Sequence, residues 1–218
     1  MFSLFAKCSL SIILRGCLNS FIFSEKTLMT EQQVLSLFKT SGALMEGHFI
    51  LRSGRHSGRF LQCARVCEYL HHVERLATAL LERWATNNAP FTTVLAPAMG
   101  ALVIGQEVAR QARKRFIFAE KTKTKLALRR GFKLAEGERV LVVEDVITRG
   151  GRAAETLNLA CQAGGYPIGV ATLVDRSEGQ AAFPVPMAAL LTCHFPTYAP
   201  DALPDELKAI TPIKPGSG

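Results

Sequence analysis

The feature that most constrains the fold of this chain is an apolar run followed directly by two acids and a glycine-containing turn, in residues 140–152. Four apolar residues, three of them valine, open this segment. A short run of this kind predicts a strand that is buried on both faces, as in a parallel sheet. Glu144 and Asp145 come next, and Gly150 and Gly151 precede a helical pattern. The order of strand, acids, turn and helix predicts an α/β protein whose ligand binds beyond the carboxyl end of this strand.

The chemistry of this turn suits a phosphorylated ligand. Backbone N–H groups at the start of a helix bind anions, and two adjacent carboxylates suit either sugar hydroxyls or a hard cation such as Mg²⁺. Gly100 and Gly105 have the glycine spacing of a Walker A loop, but Gln106 stands where that loop requires lysine, and no G-x-G-x-x-G occurs. The alternative interpretation is a generic strand-to-helix turn whose acids only cap and solvate it.

Strand and helix patterns alternate along the rest of the chain, which predicts a mainly parallel sheet flanked by helices. A capping box at Thr30 starts a helix. Residues 46–60 predict a small hairpin, and residues 73–84 have the period of an amphipathic helix. The predicted strands of the sheet are residues 93–96, 116–118, 140–143, 168–174 and 188–191, with a loop at 120–125 and a further strand pattern within 126–132.

Length and charge limit the classes of partner. A chain of 218 residues is long enough for one medium domain. Its net charge of +8 indicates an anionic partner, which is a phosphorylated small molecule, a nucleic acid or a membrane surface. Residues 110–133 hold ten Lys or Arg and one acid, Glu120, but no nucleic-acid reading motif and no interleaved aromatic pattern. We therefore expect a small anionic substrate and no nucleic-acid partner.

The cysteines and the N-terminal residues give information on the cellular compartment of the protein. The six cysteines are scattered without a C-x-x-C pair, which predicts reduced thiols in the cytoplasm rather than a zinc site or a disulfide framework. Residues 1–28 are apolar, with no acid before Glu25, but they are too short and too interrupted to span a membrane. We expect either that translation starts at Met29 or that residues 1–28 are a weak targeting segment, and we expect no membrane partner.

Residues 140–152 resemble the PRPP-binding signature of type I phosphoribosyltransferases. Segments 46–57, 96–100, 128–132 and 173–179 occur in order around it, and together they resemble orotate phosphoribosyltransferase; residues 213–217 resemble the end of that family's chain. The resemblance implies a type I phosphoribosyltransferase fold over residues 29–218, with a mainly parallel central sheet, flanking helices and a small hood formed by N-terminal and C-terminal segments. It also implies transfer of phosphoribose from PRPP to orotate, with Mg²⁺, in pyrimidine (UMP) biosynthesis.

The resemblance assigns roles to individual residues. Glu144 and Asp145 are expected to hold the ribose hydroxyls of PRPP, while Mg²⁺ ligands are left undetermined. The other expected PRPP contacts are Arg52, Lys121, Lys123, Val146, Ile147, Thr148, Arg149, Gly150, Gly151 and Arg152. The expected catalytic residues are Lys121, Lys125 and Asp145. Orotate is expected to contact Thr148, Arg176 and Phe60, because a guanidinium binds a carboxylate through two hydrogen bonds.

The resemblance further implies a homodimer in which loop 120–130 reaches the neighbouring site. Three positions depart from the family pattern: Arg149 and Arg152 stand where Thr, Ala or Ser are common, and Ala101 replaces a glycine. The loop also has no histidine, which removes one version of its acid chemistry. Two alternatives remain open: a type I enzyme acting on a purine or uracil, and a non-catalytic regulator that binds PRPP.

Overall fold

The computed structural model describes residues 29–86 and 89–215. The expectation for residues 1–28 lies outside the described residues. The helices are α1 (Glu31–Thr40), α2 (Cys63–Cys67), α3 (Leu70–Ala85), α4 (Leu102–Ala112), α5 (Gly151–Gln162) and α6 (Asp205–Lys208). The strands are β1 (Leu44–Ile50), β2 (His56–Leu61), β3 (Thr93–Pro97), β4 (Arg115–Lys121), β5 (Leu126–Leu128), β6 (Arg139–Ile147), β7 (Tyr166–Asp175), β8 (Met187–Thr192) and β9 (Thr197–Tyr198).

A six-stranded sheet forms the centre, in the order β5-β4-β3-β6-β7-β8. The neighbours from β4 to β8 are all parallel, and β5 pairs antiparallel with β4. The predicted mainly parallel sheet is therefore confirmed. Because β3 and β6 are neighbours whose connections run to opposite edges, the carboxyl ends of these two strands form the crevice where α/β proteins bind ligands.

Strand β6 is buried on both faces, as its run of valines predicts. Leu141 and Val143 pack in the cluster that includes Leu76 of α3 and Ile104 of α4. Val142 packs on the other side, with Leu157 of α5. Alternate side chains of a strand point to opposite faces, so one apolar run builds both layers of the core. Among the described residues, no helix is long and apolar enough to cross a membrane.

A second, smaller sheet forms the hood. Strands β1 and β2 pair antiparallel, and β9 pairs with β2. The C-terminal segment adds to this layer, because the Ile213 N–H donates to His48 O at 2.8 Å and the Ile50 N–H donates to Ile213 O at 2.8 Å. The buried His48 ring also places Nδ1 2.9 Å from Ile210 O. N-terminal and C-terminal segments thus meet in one hood, as the resemblance implied.

Strand pairing corrects three predicted boundaries. β6 continues to Ile147, which pairs with Asp175, so the two acids lie inside the strand rather than after it. β4 continues to Lys121, which pairs with Leu126, so the predicted loop 120–125 shrinks to 122–125. Strand β5 stops at Leu128 and does not fill the pattern 126–132. Partner strands supply these hydrogen bonds, and sequence periodicity does not report them. α2 and β9 are too short to show a hydrophobic period, so the sequence did not predict them.

Candidate active site

The turn between β6 and α5 is built to leave helix N–H groups free. Gly150 is the residue before α5 and has φ of 76°, a left-handed conformation that favours glycine. A Cβ there would also lie 3.0 Å from the Ala181 Cβ. No described side chain caps the start of α5, while Thr148 and Arg149 are exposed beside it. The N-terminal N–H groups of α5 are thus available to an anion, and the helix dipole favours one there.

The two acids occupy the carboxyl end of β6. Glu144 is 5% exposed, and its Oε1 has no hydrogen-bond partner among the described residues. Its Oε2 accepts the Asp145 N–H at 3.3 Å, and Asp145 Oδ1 accepts the Val146 N–H at 2.9 Å. Buried carboxylate oxygens ordinarily have partners. The unpartnered Oε1 is therefore available to hydrogen-bond a ligand.

Gly100 brings the turn after β3 against these acids. A Cβ at Gly100 would lie 2.5 Å from Asp145 Oδ2, which is closer than carbon and oxygen approach without displacement. Only glycine therefore fits at position 100 while Asp145 keeps its orientation. Ala101, which replaces the family's glycine at this turn, is buried and is not among the residues that line the neighbouring cavity. This departure leaves the crevice lining unchanged.

Burial controls the charge of the acidic pair. Desolvation, together with the neighbouring Asp145 carboxylate, raises the pKa of Glu144 to about 8. Burial also raises the pKa of Asp145, although the hydrogen bond from the Val146 N–H opposes this. At neutral pH the Glu144 carboxyl of the free protein is therefore mostly protonated.

A cavity of about 850 Å³ opens next to the turn. It brings together four predicted site residues from three distant parts of the chain, namely Arg52, Thr148, Arg149 and Arg176. The rest of its lining comes from Leu51, Ser53, Arg55, Ser177, Glu178, Gln180, His194, Phe195, Pro196 and Thr197. Four arginines face a single acid, Glu178, so the cavity is electropositive and suits an anionic ligand.

Arg176 is the best-defined cation of this cavity. Its backbone N–H donates to Ile147 O at 2.8 Å, which ties the end of β7 to the end of β6. Its guanidinium carbon lies 4.4 Å from the centre of the Phe195 ring. Its buried Nε has no hydrogen-bond partner, and none of the ion pairs within the described residues includes it. Desolvation lowers the pKa of Arg176. This guanidinium is held in place without a carboxylate partner from the part of the chain that the structure describes.

The hood supplies the opposite wall. Arg52 is exposed at the tip of the β1–β2 hairpin. Arg55 fixes that tip, since its Nε donates to Thr197 Oγ1 at 2.9 Å and its Nη2 donates to Thr197 O at 2.6 Å. Phe60 is not among the lining residues and packs instead on Phe49, with ring centroids 5.7 Å apart. Its contact with orotate remains a prediction.

The predicted lysines lie at the same edge of the sheet but outside the cavity. Lys121 ends β4, and Lys123 and Lys125 occupy the following turn, where all three are exposed. The turn is closed internally, because the Thr122 N–H and Oγ1 both donate to Lys125 O at 2.8 Å. Since β4, β3 and β6 are parallel, this turn and Asp145 share the carboxyl edge of the sheet. The roles of the lysines remain predictions.

The acidic pair can hold Mg²⁺ only if the substrate supplies further oxygen ligands. Among the described residues, no group of three or more His, Cys, Asp or Glu side chains is placed to hold a metal ion. Mg²⁺ commonly binds through one or two carboxylates and completes its shell with water and substrate phosphates. Asp145, together with Glu144 once it loses its proton, would match that donor set.

Sequence patterns did not indicate several residues that shape the site. His194 and Phe195 lie in a segment with no recognisable motif. His194 Nδ1 lies 2.5 Å from Oε1 of Glu178, and Phe195 packs on Arg176. Arg55 falls within segment 46–57, whose match to the family was the available signal. Residues 194–197 reach the cavity only because the chain turns back after β8 to pair β9 with β2.

Fold and site together define a phosphoribosyltransferase, and comparison with known proteins agrees. The family model described as "Phosphoribosyl transferase domain" matches residues 66–183. Orotate phosphoribosyltransferase from Novosphingobium aromaticivorans is 46% identical over 190 residues, which cover 87% of this chain and 98% of that protein. The chain belongs to the orotate phosphoribosyltransferase family.

Solved structures show the same fold. Orotate phosphoribosyltransferase from Aeropyrum pernix aligns with a TM-score of 0.65 and 25% identity, over 73% of this chain and 93% of that one. Adenine phosphoribosyltransferase from Rhodothermus marinus aligns with a TM-score of 0.55 and 22% identity, over 73% of this chain and 99% of that one. The second similarity shows the fold alone, so side chains must decide which base is bound.

We predict that Glu144→Gln stabilises the free protein at high pH. The pKa of Glu144 rises from its ordinary value of 4.5 to about 8 on folding. Between these values the folded state binds a proton that the unfolded state lacks, so stability falls as pH rises, and glutamine removes that loss. Urea unfolding should give a higher midpoint for the variant at about pH 9 and equal midpoints at about pH 4.

The exposed Glu206 provides the matched control, because Glu206→Gln changes the same group without burial. If the urea midpoints of Glu144→Gln and wild type differ by the same amount at both pH values, the raised pKa of Glu144 is contradicted.

Proposed function

We propose that this protein transfers the 5-phosphoribosyl group from PRPP to orotate, releasing orotidine 5′-monophosphate and pyrophosphate. The observation that carries the proposal is Arg176, a positioned guanidinium without a carboxylate partner among residues 29–86 and 89–215, which shares a cavity with the phosphate-binding turn. Orotate carries the carboxylate that such a guanidinium binds, while adenine, hypoxanthine and uracil do not.

The chain's own residues account for binding and orientation. The free N–H groups of α5, with Thr148 to Arg152, are proposed to hold the 5′-phosphate. Asp145 and Glu144 are proposed to hydrogen-bond the ribose hydroxyls, with the unpartnered Glu144 Oε1 available for one of these bonds. Breaking the bond between C1 and pyrophosphate develops positive charge on the sugar and negative charge on the leaving group. Asp145 lies on the sugar side, and catalysis comes mainly from positioning and electrostatics.

Cations complete the site. Arg52 at the hood, and Lys121, Lys123 and Lys125 at the β4–β5 turn, are proposed to contact PRPP and its leaving pyrophosphate. The acidic pair would hold Mg²⁺ together with substrate oxygens, and the ion would neutralise charge on the pyrophosphate. Support comes from the shared sheet edge and from the excess of positive charge.

The assembly and the location are also proposals. A homodimer would allow loop 120–130 of one subunit to reach the site of the other, and the exposure of all three lysines leaves them free for this. Residues 29–218 are proposed to be the phosphoribosyltransferase domain, with residues 1–28 as an extension. Free thiols at four described cysteines accord with a cytoplasmic protein.

Purified protein with PRPP and Mg²⁺ should consume orotate and leave uracil and hypoxanthine unchanged. Loss of orotate absorbance measures the first reaction, and chromatography of the products measures the other two. Consumption of a different base would retain the phosphoribosyl chemistry and overturn the assignment of orotate. PRPP binding without turnover of any base would favour a regulator.

We predict that Arg176→Ala weakens orotate far more than PRPP. Removing a charge-assisted hydrogen bond costs about 1.5–3 kcal/mol of binding free energy. Since about 1.4 kcal/mol corresponds to a factor of ten, the KM for orotate should rise at least about tenfold. The KM for PRPP should stay within about twofold. Arg59→Ala is the matched control, since Arg59 is an exposed arginine paired with Glu46 at 3.6 Å and does not line the cavity. Equal losses for both substrates would argue against the role of Arg176.

Mixing two inactive variants tests the shared site. If Lys121 acts in the neighbouring subunit, Lys121→Ala and Asp145→Asn dimers that exchange subunits should recover about a quarter of wild-type activity, because half of the dimers then contain one intact site. Asp145→Asn mixed with Glu144→Gln is the control, since both changes lie in the same strand and no intact site forms. An active protein that elutes as a monomer in gel filtration would exclude the dimer.

A further inference from the structure

Glu155 of α5 contacts two parts of the proposed site at once. Its Oε1 accepts the Leu126 N–H at 2.6 Å, and its Oε2 accepts Arg152 Nη1 at 3.1 Å. The side chain is 37% exposed, so it is only partly screened by solvent. One carboxylate therefore links the first turn of α5 to the start of β5.

Residues 121–125, which contain three lysines, are called the lysine turn here. The Leu126 end of the link directly follows this turn. Leu126 follows Lys125 directly, pairs with Lys121 across the hairpin, and is 2% exposed. Its side chain packs in a core cluster that includes Ala160 of α5. Packing holds the strand on the helix, and the carboxylate holds the backbone where the turn begins.

The sheet holds β4 through its parallel pairing with β3. Beyond that ladder, the other described side-chain hydrogen bonds and ion pairs of residues 120–130 stay within this segment. Thr122 bonds to Lys125 across the turn, and Glu120 on β4 pairs with Arg130 at 2.8 Å and with Arg129 at 3.6 Å. The bond from Leu126 to Glu155 is the described polar side-chain contact that orients the hairpin toward α5.

The Arg152 end lies beside the phosphate turn. Arg152 is the second residue of α5 and the last residue of the segment that is proposed to hold the 5′-phosphate. Its guanidinium is held by Glu155 rather than by any other described acid. The Glu155 side chain thus connects the start of α5, where an anion is proposed to bind, with the lysine turn. Arg152 and Glu155 are three residues apart in the helix.

We infer that Glu155 is a positioning residue that sets the lysine turn against the phosphate-binding end of α5. The inference rests on the proposed function, because the lysines are proposed to contact the pyrophosphate of PRPP. Glu155 touches neither substrate. It orients the backbone that carries Lys121 to Lys125 and keeps Arg152 at the helix start.

Trypsin measures the coupling independently of activity, because the turn contains three lysines. Glu155→Ala frees the Leu126 N–H, so cleavage after Lys121, Lys123 or Lys125 should accelerate about tenfold, the factor expected for loss of a charged hydrogen bond. Arg152→Ala should cleave at the wild-type rate, since Glu155 still holds Leu126. Mass spectrometry of the fragments identifies the cut site. An unchanged rate for Glu155→Ala would overturn the inference.

Glu155→Gln separates the two contacts. Its carbonyl oxygen still accepts the Leu126 N–H, while its neutral amide replaces the partner of Arg152. Its cleavage rate should therefore return to that of wild type, whereas a rate equal to that of Glu155→Ala would contradict the backbone bond. If Glu155→Ala does not fold, Glu155→Asp, which is one methylene shorter, takes its place with the same expectation.

Kinetics then test what the positioning does. In Glu155→Ala the KM for PRPP should rise at least fivefold, on the order of one partly lost ionic contact, while the KM for orotate stays unchanged. Glu206→Ala, on the exposed face of α6, should match wild type. Equal changes for both substrates would reject a role at the pyrophosphate side. Faster trypsin cleavage in a protein that does not use orotate would retain the coupling and reject the proposed function.

Discussion

Burial of β6 on both faces is the constraint on which the rest of the structure depends. α5 covers this strand on one side, and α3 and α4 cover it on the other, so residues 140–144 are all buried. Its polar side chains lie toward its two ends, with Arg139 at the start and Glu144 and Asp145 near the carboxyl end. The same burial that stabilises the sheet raises the pKa of Glu144 to about 8 and leaves one of its oxygens unpartnered. The buried part of β6 thus builds the core, and the acids near its carboxyl end belong to the candidate site.

Cations reach that strand end from separate layers of the fold. The hood contributes Arg52, the turn contributes Arg149, and the end of β7 contributes Arg176. Concentrating like charges costs electrostatic free energy in the empty cavity, and anionic substrates offset that cost when they bind. The departures from the family pattern fit this view. Arg149 adds to the cavity, whereas Arg152 is engaged by Glu155.

Much of the fold was predictable from sequence, because its signals are local. The capping box at Thr30, the helix across 73–84 and the strand at 140–143 all appear at or near their predicted positions. Strand ends were less predictable, since β6 and β4 continue only as far as a partner strand supplies hydrogen bonds. The cavity itself had partial signals. Arg176 and the glycine turn carried a motif, while Phe195 carried none.

The sequence by itself determined the alternation of strands and helices, the acid pair and the glycine turn, because periodicity, β-branched runs and turn residues act over a few neighbours. Only the tertiary structure decided that Arg52, Arg149 and Arg176 share one cavity and that Glu155 joins the lysine turn to α5. Those contacts join residues far apart in the chain. Their geometry depends on strand order, register and the return of the chain into the hood, which no local pattern encodes.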